Sequence, residues 1–213
     1  MKKKMELRPY QQEAKDSVFD QWGKVKKTLV VLPTGCGKTI VFAKVAEECV
    51  RQGKRVLILA HRGELLEQAS DKIAKTTGLH CAMEKAEATC LGSWYRITVG
   101  SVQSMQRPKR LAQFDQDYFG TIIIDEAHHC ITDGYQKVLQ HFPEAHVLGV
   151  TATPDRGDMR NLGEFFESLA YEYTLPKAIR EGYLSPIKAL TIPLQLDLSG
   201  VTLLFWDPIF LVR

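Results

Sequence analysis

Short apolar runs alternate with longer segments of mixed character along the 213-residue chain. The runs Thr28 to Leu32, Arg55 to Ala60, Ile97 to Val99, Thr121 to Ile124 and Val147 to Thr151 are brief and rich in β-branched residues, which favours buried strands over helices. Between the first two, Phe42, Val45, Ala46, Cys49 and Val50 recur at helical spacing, while Lys44, Glu47, Glu48, Arg51 and Gln52 take the opposite face. Gly53 is placed to close that helix. After the second run, Leu65, Leu66, Ala69 and Ile73 repeat the pattern, with Glu64, Glu67, Asp71 and Lys72 outward. This alternation predicts an α/β fold, a parallel sheet with helices on both faces, whose ligands bind where strands run into helix N-termini. Met83 to Trp94 is the least patterned stretch and is assigned no role.

Composition changes this picture little. Hydrophobic residues at 45% and charged residues at 25% are ordinary for a folded domain, and the length fits one core plus an appendage. Twenty-eight basic against 25 acidic side chains give a net charge of +3, which tolerates a polyanionic partner without requiring one. Lys2, Lys3 and Lys4 resemble the start of a signal peptide, but Glu6, Arg8, Gln11 and Glu13 stand where its apolar core belongs. No run reaches the roughly 18 apolar residues of a membrane span, so a cytoplasmic protein with no membrane partner is expected. The five cysteines include no Cys-x-x-Cys pair and the histidines are scattered apart from His128 and His129, so neither a disulfide framework nor a zinc site is expected.

Chemistry enters at the first run, which leads through Pro33-Thr34-Gly35-Cys36-Gly37-Lys38-Thr39 into the amphipathic helix. Strand, glycine loop and helix are the context of a P-loop, in which Gly35 and Gly37 let the backbone wrap a phosphate. Lys38 is expected to neutralise phosphate oxygens and Thr39 to ligate magnesium; Leu32 departs from the strict pattern, which has glycine there. The run Thr121 to Ile124 ends in Asp125-Glu126-Ala127-His128. Two carboxylates at the end of a buried strand are costly without a cation, so Asp125 is expected on magnesium and Glu126 at the attacking water.

Asp-Glu-Ala-His downstream of a Gly-Lys-Thr loop resembles motif II of the DEAD/DEAH-box helicases of superfamily 2, and further elements follow in that family's order. Leu7-Arg8-Pro9-Tyr10-Gln11 looks like its adenine-reading element, Ala60-His61-Arg62 like motif Ia, Val99-Gly100-Ser101-Val102-Gln103 like the next strand-end motif, and Thr151-Ala152-Thr153-Pro154 like motif III. The likeness is to the branch of type III restriction helicase subunits and phage helicases. It implies a RecA-like P-loop NTPase domain that binds ATP and magnesium and acts on nucleic acid, DNA ahead of RNA. By position, Gln11 reads adenine, Arg8 and Tyr10 support the base, and Thr34 and Cys36 join Gly35, Gly37, Lys38 and Thr39 around the phosphates. Arg62, Gly100, Ser101 and Gln103 contact a single strand, while His128, Thr151 and Thr153 couple nucleotide state to strand movement. Arg107, Lys109 and Arg110 either extend that track or form a solvated helix face.

The resemblance covers roughly residues 5 to 193, and residues 1–193 read as one ATP-binding domain. Residues 194–213 read as an apolar tail, a truncated or frameshifted start of a second RecA-like domain, on which this family carries an arginine that stabilises the transferred phosphoryl group. The expected function is therefore the ATP-binding half of an ATP-dependent helicase or translocase, nearly inactive alone, with a separate second domain or subunit as a partner. The alternatives are a binding module without turnover, one half of a split motor, or another P-loop ATPase such as a small-molecule kinase.

Overall fold

The computed structural model describes residues 6–60, 63–152 and 162–186. Helix α1 (Pro9–Trp22) precedes β1 (Lys27–Val31), α2 (Lys38–Arg51), β2 (Val56–Ala60), α3 (Gly63–Thr77), β3 (Cys81–Glu84) and β4 (Ile97–Ser101). There follow α4 (Val102–Met105), α5 (Pro108–Leu111), β5 (Thr121–Asp125), a short 3-10 turn at Ala127–His129, α6 (Asp133–His141), β6 (His146–Thr151), β7 (Ser168–Glu172) and α7 (Leu175–Arg180). The strands form one seven-stranded sheet in the order β3-β4-β2-β5-β6-β1-β7. Every pairing is parallel, as the predicted alternation requires.

Because strand side chains alternate between faces, a central parallel strand must be apolar on both sides. In β2, Ile58 and Ala60 pack with Phe42 of α2, Leu66 of α3 and Tyr10 of α1, whereas Leu57 and Leu59 pack with Val102, Leu111 and Tyr135 from α4, α5 and α6. Two apolar cores thus lie on opposite faces of the sheet, each roofed by helices.

Two strands were not predicted. In β3 only alternate residues are buried, and β7, at the other edge, is half-exposed along its length, so neither shows the continuous apolar run that marks the central strands. The first half of the unpatterned stretch is likewise structured. Glu84, fully buried, accepts from the Thr89 hydroxyl at 3.0 Å and the Cys90 amide at 2.7 Å, and pairs with Arg110 at 2.9 Å. Arg110 therefore neutralises a buried carboxylate, and only Arg107 and Lys109 of that cluster are exposed.

Candidate nucleotide site

The loop after β1 begins with the Leu32 amide bonded to the Thr151 carbonyl at 3.0 Å, so the end of β6 holds its entry. Gly35 and Gly37 have φ of 88° and 77°, in the left-handed region that favours glycine. Gly37 also lacks room for a side chain, since a Cβ there would lie 2.6 Å from Gln11 Nε2. Gly37 is the N-cap of α2, and no side chain bonds the first amides of that helix. The Ile40 amide bonds the Gly37 carbonyl at 2.9 Å, which leaves the Lys38 and Thr39 amides and the positive end of a 14-residue helix to face an anion.

The back of the loop is held from α1. Tyr10 Oη and Gln11 Nε2 both donate to the Cys36 carbonyl, at 2.9 and 3.0 Å, and Gln11 Oε1 accepts from the Arg8 amide at 3.0 Å. The Tyr10 ring stacks on Tyr173 at 4.3 Å with 3° between planes, and Tyr183 meets it edge-on at 4.9 Å. The Arg8 guanidinium lies 5.1 Å from the Tyr183 ring centre and donates to the Tyr10 hydroxyl at 3.3 Å. Tyr10, only 2% exposed, is thus placed as a brace behind the phosphate loop and presents no open face to a base. Tyr173 and Tyr183 are neighbours of Tyr10 that sequence reasoning missed. Nothing in their spacing links them to α1, because the contact arises from β7 and α7 folding back beside it.

The carboxylates stand at the end of β5, two strands from β1 across β6. Lys38 Nζ lies 3.9 Å from Glu126 Oε1, and His128 Nδ1 lies 3.6 Å from Glu126 Oε2. The Glu126 amide donates to Asp125 Oδ1 at 3.1 Å. Burial, then the adjacent Glu126 charge, hold the Asp125 carboxyl above its ordinary range, only partly offset by that amide and by Lys38. Glu126 has φ of 53°, a left-handed conformation that strains a residue with a Cβ. Cys36 is fully buried and burial raises its thiol pKa, so it is a loop residue without nucleophilic character.

Gly100, Ser101, Gln103 and Thr151 lie at the same C-terminal end of the sheet. Gly100 and Ser101 close β4, and Ser101 Oγ accepts from the Ser104 amide at 3.2 Å and meets Ser104 Oγ at 3.0 Å, capping α4. Ser101 is 6% exposed, whereas Gln103 on α4 is exposed. Thr151 is buried at the end of β6. Arg62 and Thr153 lie outside the described residues, as does the 194–213 tail.

A parallel sheet with a glycine phosphate loop at one strand end and paired carboxylates at another defines a P-loop nucleotide-binding domain of the RecA-like class. Comparison narrows the class: residues 4–156 match the type III restriction enzyme, res subunit, and the chain belongs to that family, whose fold here is the N-terminal RecA-like domain of superfamily 2 helicases. Membership implies ATP binding. IRC3 of Saccharomyces cerevisiae, named as an ATP-dependent helicase, is 33% identical over 212 residues, covering 92% of this chain and 30% of its own length. The type I restriction enzyme EcoAI endonuclease subunit of Escherichia coli is 28% identical, covering 85% of this chain and 23% of its own. The DNA 3'-5' translocase XPB2 of Sulfurisphaera tokodaii is 31% identical, covering 85% and 38%. The chain thus spans well under half the length of these relatives. Among solved structures, the Pyrococcus furiosus Hef helicase domain superposes with a TM-score of 0.67 at 23% identity, covering 85% of this chain and 41% of that one, and shows the same fold. No helix among the described residues is long and apolar enough to cross a membrane.

Proposed function

We propose that this chain is the ATP-binding half of a nucleic-acid helicase or translocase that hydrolyses ATP with magnesium. The observation that carries the reading is the meeting of Lys38 and Glu126 across 3.9 Å, which brings phosphate binding and water activation to one point. The loop amides and Lys38 bind the β- and γ-phosphates and orient the terminal one. Glu126 accepts the proton of the attacking water, and the His128 imidazole lies 3.6 Å from the other oxygen of that carboxylate. Thr39 and Asp125 suit magnesium, both being oxygen donors, and the raised pKa of Asp125 marks a buried charge that a cation would stabilise. When bound, magnesium neutralises phosphate charge. Gln103, Gly100, Ser101 and Arg62 form the strand track, and Thr151 and Thr153 couple it to the loop. DNA is favoured because one relative is named a DNA translocase.

The test measures nucleotide binding and turnover separately. Lys38→Ala should lose affinity for a fluorescent ATP analogue at least tenfold, since a charge-assisted contact contributes about 1.5–3 kcal/mol. Glu126→Gln should bind the analogue normally while the small residual strand-stimulated hydrolysis of the isolated chain disappears. Wild-type affinity in the lysine variant, or lost ATP-magnesium binding in the glutamine variant, refutes these assignments. Stimulation by single-stranded DNA or RNA, tested side by side, separates a motor half from a small-molecule kinase.

A further inference from the structure

The N-terminal ends of the strands, opposite the nucleotide site, carry a surface that this mechanism does not use. Trp94 is 96% exposed and its neighbour Tyr95 is 47% exposed, and these adjoining aromatics sit immediately before β4. His80 precedes β3, and its ring lies 5.9 Å from that of Tyr95. On the other side, Lys54 and Arg55 precede β2, and Tyr118 lies just before β5. Since β3, β4, β2 and β5 are consecutive in the sheet, these groups form one strip along its rim, roughly 14 Å across at the usual strand spacing.

Cations and rings alternate along the strip. Arg55 lies 4.8 Å from the Tyr118 ring centre and donates to the Tyr95 carbonyl at 3.4 Å. Arg96 donates to the Gly53 carbonyl at 3.2 Å, and Lys54 Nζ lies 3.4 Å from His146 Nδ1. Among the described residues none of these three cations is ion-paired, whereas Lys26, Lys44, Arg51, Lys85 and Arg110 all are. Their remaining N–H groups can therefore meet an external anion. Flat rings exposed beside unneutralised cations complement a ligand that joins regularly spaced negative charge to stackable faces.

We infer that this rim is a second contact for single-stranded nucleic acid, with Trp94 and Tyr95 stacking on bases and Arg55, Arg96 and Lys54 following the phosphates. The inference rests on the proposed nucleic-acid function, but the surface is remote from the strand-end track of Gly100 to Gln103. Such contacts are indifferent to sequence, because every base offers a π-face and every phosphate the same charge.

The test is a titration of the full chain with a fluorescein-labelled oligodeoxythymidine about 12 nucleotides long, read by anisotropy and by tryptophan quenching, over a range of salt. Trp94→Ala should weaken binding between about fivefold and about 150-fold and remove most of the quenching. The double variant Arg55→Gln, Arg96→Gln should weaken binding and flatten the slope of log affinity against log salt by about 1.4. Both should bind the fluorescent ATP analogue as wild type does, which controls for folding. Wild-type strand affinity in Trp94→Ala with ATP binding retained overturns the rim while leaving the proposed function intact, and a chain that binds neither ATP nor strand overturns both. Competition by polyglutamate as strong as by the oligonucleotide also overturns it, in favour of an acidic protein segment.

Discussion

Tyr10→Phe removes one hydroxyl from a packed ring and isolates what α1 does for the phosphate loop. That hydroxyl and Gln11 Nε2 reach the same Cys36 carbonyl, at 2.9 and 3.0 Å, so either single loss leaves one donor in place. A neutral hydrogen bond contributes about 0.5–1.5 kcal/mol net, whereas stripping a buried carbonyl of every partner costs about 1–3 kcal/mol. Tyr10→Phe should therefore cost about 1 kcal/mol, or about 2–4 °C in Tm for a domain of this size. Gln11→Ala should cost somewhat more, because the Arg8 amide loses its acceptor as well. The double variant should exceed the sum of the two by about 1 kcal/mol, since only then is the carbonyl bare.

The same four proteins distinguish bracing from base reading. Cys36 lies between the two glycines of the loop, so loosening it disorders the amides that face the phosphates and weakens ATP and GTP alike, by about fivefold for 1 kcal/mol. Adenine reading by Gln11 has another signature, because Gln11→Ala then narrows the ratio of ATP to GTP affinity while Tyr10→Phe leaves it unchanged. Thermal melts and displacement of a fluorescent analogue by each nucleotide measure both quantities. Additive stability losses, or a changed ATP to GTP ratio in Tyr10→Phe, would refute the brace.

Two further perturbations address the carboxylates. Burial raises the Asp125 pKa, so its ionised form penalises the folded chain above that raised value, and the penalty fades as pH falls toward the unfolded value of about 3.9. Asp125→Asn should then raise the Tm of the nucleotide-free chain near neutral pH, with the gain shrinking toward pH of about 4, and should remove the magnesium-dependent part of ATP binding; Tm against pH, with and without ATP and magnesium, reads both, and a lower Tm at neutral pH contradicts the reading. Glu126→Gly should be more stable than Glu126→Ala by about 1 kcal/mol or more, because glycine accepts a φ of 53° and alanine does not; equal denaturation midpoints would mean that no strain is held there.

The sequence was most readable where one local signal decides the structure. The central strands are buried on both faces and announce themselves as β-branched runs, and the phosphate loop and the Asp125-Glu126 pair depend on residues adjacent in the chain. What escaped depends on distant partners. The edge strands β3 and β7 are short and half-buried, so their periodicity is weak. The resemblance makes Tyr10 a support for the base, whereas its place behind the loop depends on stacking with Tyr173, 163 positions away, which no pattern within either segment encodes. Arg110 likewise reads as surface charge until the fold buries Glu84 beside it.

The carboxylate of Glu126 stands between the Lys38 ammonium, 3.9 Å from one oxygen, and the His128 imidazole, 3.6 Å from the other. Lys38 is 12% exposed, and a charge so enclosed is satisfied better beside a carboxylate than by water alone. A triphosphate offers Lys38 more negative charge than one carboxylate does, so in the proposed site the ammonium passes from Glu126 to the phosphates. In the proposed site that exchange frees Glu126 to face the attacking water. A carboxylate held in a strained conformation, close to Lys38 yet not locked to it, fits such an exchange, whereas a short, fully buried ion pair would hold Lys38 back from the phosphate and leave the water without a base.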